Sequence, residues 1–261
     1  SFTSKLSEIS LTRTIENGEI YSKIAIDGYI TNNQIGYPQL PVMVKMIEVP
    51  MGAESVTNGT VNSEKVVSLA DAGFEQVIVP CQPSLFKNQQ KEDVPFEKNK
   101  IYADGGLYSP EAVTVEEAGI MRGIRLVKVV VSPFAYDIAD NALTVRDDIS
   151  VTLSFRNADQ RSTAIKDSKY SPAFEALYSK IWNYKRTRDA EMHYPITYAI
   201  VADRMFEEAL QPFIAWKTKK GFKVVTAYTD EIGRTDAAVR TYLQGLYEAG
   251  TANDPAPSYV L

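Results

Sequence analysis

The chain holds one cysteine, Cys81, and one histidine, His193. Together they are the residue types of a thiolate nucleophile and its general base. Their surroundings in the sequence argue against that pairing. Cys81 ends the β-type run "VIVPC", where a free thiol is ordinarily a small buried side chain. His193 lies in the polar stretch "KRTRDAEMHY", the setting of a surface linker. The same two counts exclude an internal disulfide and leave a His/Cys zinc site short of its three or four ligands.

Other constellations are weaker still. The adjacent carboxylates Glu116-Glu117, Asp147-Asp148 and Glu207-Glu208 would face opposite sides of a strand and could not share a substrate. "YADGGLYS" (102–109) and "IMRGIR" (120–125) contain glycine but have neither dinucleotide-loop nor P-loop spacing. "ADR" (202–204) has no glycine to cradle a pyrophosphate. No motif calls for a cofactor. An isoelectric point near 5.1 argues against a nucleic-acid partner. No apolar run is long enough for a transmembrane helix. Catalysis is therefore expected to lie beyond Leu261, and the pattern reads as a piece of a longer protein.

One short stretch stands out against a net charge of -5: Lys185-Arg186-Thr187-Arg188, followed by Asp189. Its meaning depends on the elements either side. Residues 1 to about 158 read as β structure. "GEIYSKIAIDGY" (18–29), "LPVMVKMIEVP" (40–50), "GFEQVIVP" (73–80) and "MRGIRLVKVVVSPFAYD" (121–137) form strand-like runs between Gly, Pro and Asn. In "ALTVRDDISVTLSFR" (142–156) the charged "RDD" predicts a hairpin turn. Many short strands without a long helix indicate a β-sandwich or jelly roll. From Tyr170 the period becomes helical, with Phe174, Leu177, Tyr178 and Ile181 on one stripe, so a helix is expected over 171–184 with Ser171 as cap and Pro172 at its first position.

Beyond the basic stretch the pattern changes again. "PITYAIVAD" (195–203) is a continuous apolar run, as in a strand buried on both faces. A helix follows over about 204–220, with Pro212 expected to kink or divide it. Then come a strand at 222–229, a helix capped by Thr235, and a strand beginning at "PSYVL". Residues 195–261 thus read as β-α-β-α-β with parallel pairing.

Several ordered stretches resemble the gingipain-type cysteine peptidases, the lysine-specific branch above all. They are "GIMRGIRLVKVVVSPFAYD" with "NALTVRDDISVTLSF", then "YSPAFEALYSKIWN", "EALQPFIAWKTKKGFKVVTAYTD", "VRTYLQGLYEAG" and "PAPSYVL". The resemblance implies a propeptide over 1–188, a jelly-roll-like all-β sandwich that maintains latency and assists folding, and the start of a caspase-like α/β peptidase domain over 189–261. It implies a catalytic His and Cys after the third strand, so that neither His193 nor Cys81 is one of them. It makes Arg188-Asp189 the processing bond, with Lys185 and Arg186 as its basic approach. The implied partners are the chain's own catalytic domain, an activating protease, and protein or peptide substrates of the parent. The implied location is secreted or cell-surface, in a bacterium, and calcium is a cofactor by resemblance alone. The residue-level alternative is a non-catalytic β-sandwich adhesin or binding module joined to an α/β domain.

Propeptides of this family also insert a loop into the active-site cleft with a Lys or Arg in the specificity pocket. Counting back from "MRG" puts that slot at Asp104, Gly105 or Gly106, where this chain has no basic residue. Two arrangements meet that departure. Arg122 or a nearby Lys does the work, or the parent prefers an acidic residue and Asp104 fills the pocket. In either case residues 102–108 are expected to project from the sandwich toward the C-terminal ends of the α/β strands.

Overall fold

A computed structural model describes residues 1–159, 162–185, 196–251 and 253–261. In chain order the first strands are β1 (Phe2–Lys5), β2 (Ile9–Glu16), β3 (Glu19–Ile26), β4 (Ile30–Thr31), β5 (Pro41–Val49) and β6 (Glu54–Ser68). After a single helical turn, α1 (Ile101–Asp104), come β7 (Leu107–Tyr108), β8 (Val113–Met121), β9 (Ile124–Val131), β10 (Phe134–Asp137) and β11 (Ala142–Arg156). Two short helices follow, α2 (Ser162–Lys169) and α3 (Glu175–Tyr178). The last part comprises β12 (Thr197–Ala202), α4 (Glu207–Lys219), β13 (Lys223–Tyr228), α5 (Thr229–Ile232), α6 (Asp236–Glu248) and β14 (Tyr259–Val260). The chain forms two compact units, one of residues 1–45, 55–116 and 128–154, the other of 46–54, 117–127 and 155–261.

The first unit is an all-β sandwich. In its five-stranded sheet β11 joins β1 to β10, β10 joins β7, and β6 also pairs with β11. The hairpin β2–β3 turns at Asn17-Gly18, both at positive φ, which is the two-residue turn that matches strand twist. Along β3, Tyr21, Ile24 and Ile26 are buried while Lys23 and Ala25 are exposed, close to the alternation that a half-buried strand requires. Ile24, Ile26, Leu40, Ile78, Phe134 and Tyr136 belong to one buried cluster. The "RDD" turn does not form: β11 runs unbroken through Arg146, Asp147 and Asp148. The strand changes neighbours there, from β10 at 142–145 to β1 at 148–151. Its charges find partners, Arg146 on the Pro110 and Ser132 carbonyls, Asp147 near Lys65, and Asp148 on Asn62. A polar triplet therefore continues a strand where tertiary partners meet its charges.

The second unit holds the α/β part. β12 pairs in parallel with β13 and β14, giving the order β13-β12-β14. The expected β-α-β-α-β pattern is thus present, with α5 as an additional single turn. Thr235 Oγ1 accepts from the Ala238 amide at 3.2 Å and caps α6 as its position predicts. α4 runs as one element through Pro212. The proline lies in the second turn and removes a single main-chain donor.

The helix expected over 171–184 is much shorter. Ser171 Oγ accepts from the Ala173 amide at 3.3 Å and starts a 3₁₀ turn, Pro172–Phe174, but α3 ends at Tyr178. Ile181 instead bridges to Met46, and the Trp182 amide donates to the Met46 carbonyl at 2.9 Å. The helical-looking stripe Phe174, Tyr178 and Ile181 does pack together, around Ile124 and Leu126. Tertiary burial used the same apolar residues without the full helix. Conversely α2 carries no strong periodic signal. Its Lys166 Nζ bonds both Glu48 carboxylate oxygens, at 2.6 and 2.9 Å.

Candidate functional site

Cys81 is buried, and its Sγ donates toward the Asn32 carbonyl at 2.9 Å and lies 3.2 Å from Asn32 Oδ1. Burial pushes the thiol pKa up to about 11. Such a group is a protonated core thiol at neutral pH, not a nucleophile. Alkylating reagents at pH 8 are expected to leave Cys81 unmodified in the folded protein and to label it on addition of denaturant, as followed by mass spectrometry. Rapid labelling of the native protein would contradict the burial. His193, Arg186, Arg188 and Asp189 lie outside the described residues; Lys185 is exposed.

The segment proposed for the inhibitory slot is tied to its own sandwich. Asp104 ends α1, and Gly105 follows at φ 62 with its Cα hydrogen facing Ala139, where a Cβ would approach within 3.2 Å. The Gly106 carbonyl accepts from the Ile138 amide at 3.3 Å, and Tyr102 Oη donates to the Ile78 carbonyl at 2.8 Å. Ile101 and Tyr102 pack against the buried cluster, while β7 pairs with β10. Residues 101–108 are thus anchored to the sandwich by Ile101, Tyr102 and Tyr108, with Ala103, Asp104 and Leu107 exposed, and form a helical turn and a strand in place of the projecting loop expected there. The reason is hydrophobic: Ile101, Tyr102 and Tyr108 gain more from burial than a protruding loop could retain.

Another loop of the sandwich exposes apolar and basic side chains. Residues 83–96 leave and return at Gln82 and Glu97, whose groups exchange two bonds: Gln82 Nε2 to the Glu97 carbonyl at 2.7 Å and the Glu97 amide to Gln82 Oε1 at 2.9 Å. Within the loop the Phe86 amide donates to Gln89 Oε1 and the Gln89 amide to the Phe86 carbonyl, each at 3.0 Å. That turn presents Leu85, 46% exposed, Phe86, 73% exposed, and Lys87, also exposed.

A buried polar side chain of the second unit with several main-chain partners is Arg122. It occupies the first position of the two-residue turn between β8 and β9, at φ 49, with Gly123 at φ 79. The other non-glycine residues at positive φ among those described are Asn17, Asn141 and Asn157. Asn tolerates that region through its short polar side chain, whereas Arg there marks a position under a separate constraint. Gly123 is equally constrained, since a Cβ would meet the Ile165 carbonyl oxygen at 3.0 Å.

The constraint is visible in the partners of Arg122. Its Nε donates to the Lys169 carbonyl at 2.6 Å, Nη1 to the Pro257 carbonyl at 2.9 Å, and Nη2 to the Ala256 carbonyl at 2.9 Å. The guanidinium is only 8% exposed and lies over the Phe174 and Tyr247 rings, at 5.0 and 5.6 Å. Beside it Lys169, 9% exposed, donates from Nζ to the Tyr247 carbonyl and, at 3.1 Å, to that of Glu248. These are carbonyls of the last turn of α6, where the main chain runs out of intrahelical donors and the helix dipole is negative. The Ala256 amide donates to the Ser168 carbonyl at 3.2 Å, and the Ser171 and Ser258 hydroxyls lie 2.5 Å apart. Burial lowers the Lys169 pKa, Glu248 opposes that shift, and Arg122 adds to it. Both cations are met by main-chain oxygens and ring faces in place of a carboxylate.

Direction along the sheet matters for what this cluster can do. Ala256 and Pro257 precede β14, so Arg122 binds at the N-terminal end of that strand. Open α/β sheets bind their ligands at the other end, beyond the strands' C termini. There the structure has a second charged group: Arg204 Nε on Asp230 at 2.9 Å, Nη2 on Glu231, Nη1 on Glu207 at 3.4 Å, and Arg234 on Asp203 at 3.7 Å. Hydrogen bonding from Arg204 holds the Asp230 carboxyl below its usual range. Arg122 is therefore held, buried, at the N-terminal end of β14, away from the ligand-binding end, and is not free to enter a specificity pocket.

Comparison with known proteins decides what these units are. Residues 6–181 match the family Propeptide_C25, and residues 192–261 match Peptidase family C25. The chain belongs to peptidase family C25. It is 35% identical over 259 residues to Lys-gingipain HG66 of Porphyromonas gingivalis, which covers 97% of this chain and 15% of that protein. Gingipain R1 of the same organism is 20% identical over 222 residues. The chain thus spans about a seventh of the length of the Lys-gingipains it matches. A structure solved for the zymogenic latency of gingipain K from Porphyromonas gingivalis superposes with a TM-score of 0.55 at 32% identity, over 60% of this chain and 86% of that one. The complex of the pro- and mature domains of RgpB gives 0.52 at 18% identity, over 70% and 91%, and bears on the fold alone.

Within this C25 chain, Arg122 and Lys169 fall in the propeptide match, and Tyr247, Glu248, Ala256 and Pro257 in the peptidase match. Sequence reasoning named Arg122 for another task and missed Lys169. The signal that marks Arg122 is its place before glycine in a two-residue hairpin turn. Among the described residues no group of three or more His, Cys, Asp or Glu is arranged to hold a metal. No described helix is long and apolar enough to cross a membrane.

Proposed function

We propose that residues 1–188 are the pro-region of a secreted bacterial C25 cysteine endopeptidase, holding it latent and assisting its folding. Residues 189–261 open the peptidase domain, and cleavage after Arg188 releases it. The catalytic His and Cys belong to parts of the parent outside these residues, and the parent acts on protein or peptide substrates. The observation that carries this reading is Arg122: a propeptide-matched side chain donates to the main chain of the peptidase-matched segment at Ala256 and Pro257. The match of residues 6–181 to Propeptide_C25 favours a pro-region over an adhesin module joined to a neighbouring domain.

Latency on this reading comes from the loop 83–96. It is closed at its base and holds an exposed Lys87 beside two exposed apolar side chains. A loop ordered before binding loses little entropy when it enters a cleft. The covalent link keeps it at high effective concentration until the bond after Arg188 is cut.

The processing assignment is tested on the full-length parent. The wild-type enzyme is expected to mature with Asp189 at its N terminus and to gain activity on peptide reporters as that species appears. The Arg188→Gln parent is expected to remain uncut at this bond and inactive. A mature N terminus far from Asp189, or full activity of the uncut parent, would remove the assignment.

A further inference from the structure

We infer that Arg122 and Lys169 form a two-cation clamp through which the pro-region recognises the main chain of the peptidase segment 247–257 and sets β14 in its sheet. The inference rests on the pro-region reading above and adds a named recognition surface to it. Five donor contacts from the two side chains end on carbonyl oxygens: Lys169, Ala256 and Pro257 for Arg122, Tyr247 and Glu248 for Lys169. Four of those oxygens lie in the peptidase-matched segment. Recognition is therefore of a backbone shape, the end of α6 and the approach to β14, and not of side chains.

The energetics make the clamp selective. Each cation has been taken out of water, which is unfavourable unless hydrogen bonds offset the lost hydration. A segment that offers some of the carbonyls but not the rest leaves a buried charge with unpaired N–H groups. The correctly folded end of α6 is thus strongly preferred over misfolded alternatives. Arg122 is presented for this by a backbone conformation that Arg rarely adopts. Gly123 permits the turn to approach α2, which brings Lys169 alongside. In turn the bound segment places Ser258, whose amide donates to the Thr197 carbonyl at 3.0 Å, and Leu261, whose amide donates to the Ala199 carbonyl at 2.9 Å. The clamp thereby fixes β14 against β12. Because the clamp grips the N-terminal end of β14, it does not cover the C-terminal end of the sheet, where open α/β sheets bind ligands. Docking and inhibition are separate functions of the pro-region.

Amide hydrogen exchange on the whole chain tests this. In Arg122→Ala the amides of Ala256, Ser258 and Leu261 are expected to exchange about a hundredfold faster than in the wild type, the loss of charge-assisted bonds at a local opening. Amides of β10 and β11 are expected to keep their rates. Arg122→Lys, which keeps the charge but not the three-way fork, is expected to fall between the two, and it serves if the alanine variant does not fold. Lys169→Met is expected to accelerate the same amides. Unchanged exchange at 256–261 in both Arg122 variants would overturn the clamp. So would an equal acceleration in β10 and β11, which marks a general loss of stability. Latency of the parent on peptide reporters is read separately. A parent that is active before any cleavage defeats the pro-region reading, whatever the exchange rates show.

Discussion

Lys87→Ala in the intact parent is expected to release activity without any cleavage at Arg188. The argument starts from the loop 83–96. Its base is clasped by Gln82 and Glu97, and its tip is fixed by the two bonds between Phe86 and Gln89. Lys87 Nζ has no ion-pair partner among the described residues, so its charge is available to a pocket. A residue that fills a desolvated pocket commonly accounts for about 2–4 kcal/mol of binding, which is roughly 30- to 700-fold in affinity. Inhibition by the uncut pro-region is expected to weaken by that factor, measured as turnover of a Lys reporter by the Arg188→Gln background. Asp104→Ala is the control, because Asp104 ends a helical turn packed on its own sandwich. If Lys87→Ala stays fully latent while Asp104→Ala becomes active, the loop assignment is wrong. A parent that cleaves Asp reporters and ignores Lys ones would restore the acidic specificity first read from Asp104.

The second large effect is on stability. Gly250→Ala is expected to destabilise the α/β part by about 1–3 kcal/mol, the usual cost of overpacking. A Cβ at Gly250 would lie 2.5 Å from the Ala256 nitrogen and 2.9 Å from both Ala256 Cα and the Ser168 carbonyl oxygen. These are main-chain atoms that cannot rotate away. The substitution would push apart the two segments that the Arg122 and Lys169 bonds draw together. Both tryptophans, Trp182 and Trp216, belong to the second unit, so denaturant unfolding followed by tryptophan fluorescence reads this region. Gly245→Ala supplies the contrast. That glycine is inside α6 with open space where its Cβ would be, and alanine there should raise stability by about 0.5–1 kcal/mol. Equal midpoints for the two variants would show that the close approach at Gly250 is not limiting.

The elements differ in how far they could be read in advance, and the difference is one of range. The alternation in β3, the apolar run of β12 and the Thr235 cap of α6 are local properties, and each appears where its residues indicate. The two-domain class follows from them. Where an element depends on distant partners, local reading fails. "RDD" stays in a strand because Lys65, Asn62 and the Pro110 carbonyl lie across from it. The 171–184 stripe stops being helical at Tyr178 because Met46 takes Ile181 into a bridge. α2 has its Lys166 held by Glu48, which is far away in the chain.

The functional residues divide along the same line. The amino-acid order alone determines that this chain is a β-rich region joined to the opening of an α/β domain. The surroundings of its single Cys and His argue against a catalytic pair, and its ordered motifs resemble the gingipain-type peptidases. The positions of the residues proposed for the pro-region's work are visible only in the tertiary structure. Asp104 is exposed, but Ile101 and Tyr102 pack its helical turn against the sandwich. Arg122 looked like a pocket-filling cation until its three carbonyl partners placed it at the N-terminal end of β14. Lys169 had no mark in the sequence at all. Charge and propensity are properties of residue types, but the partner of a buried cation is set by which main-chain oxygens the folded chain brings within hydrogen-bonding reach.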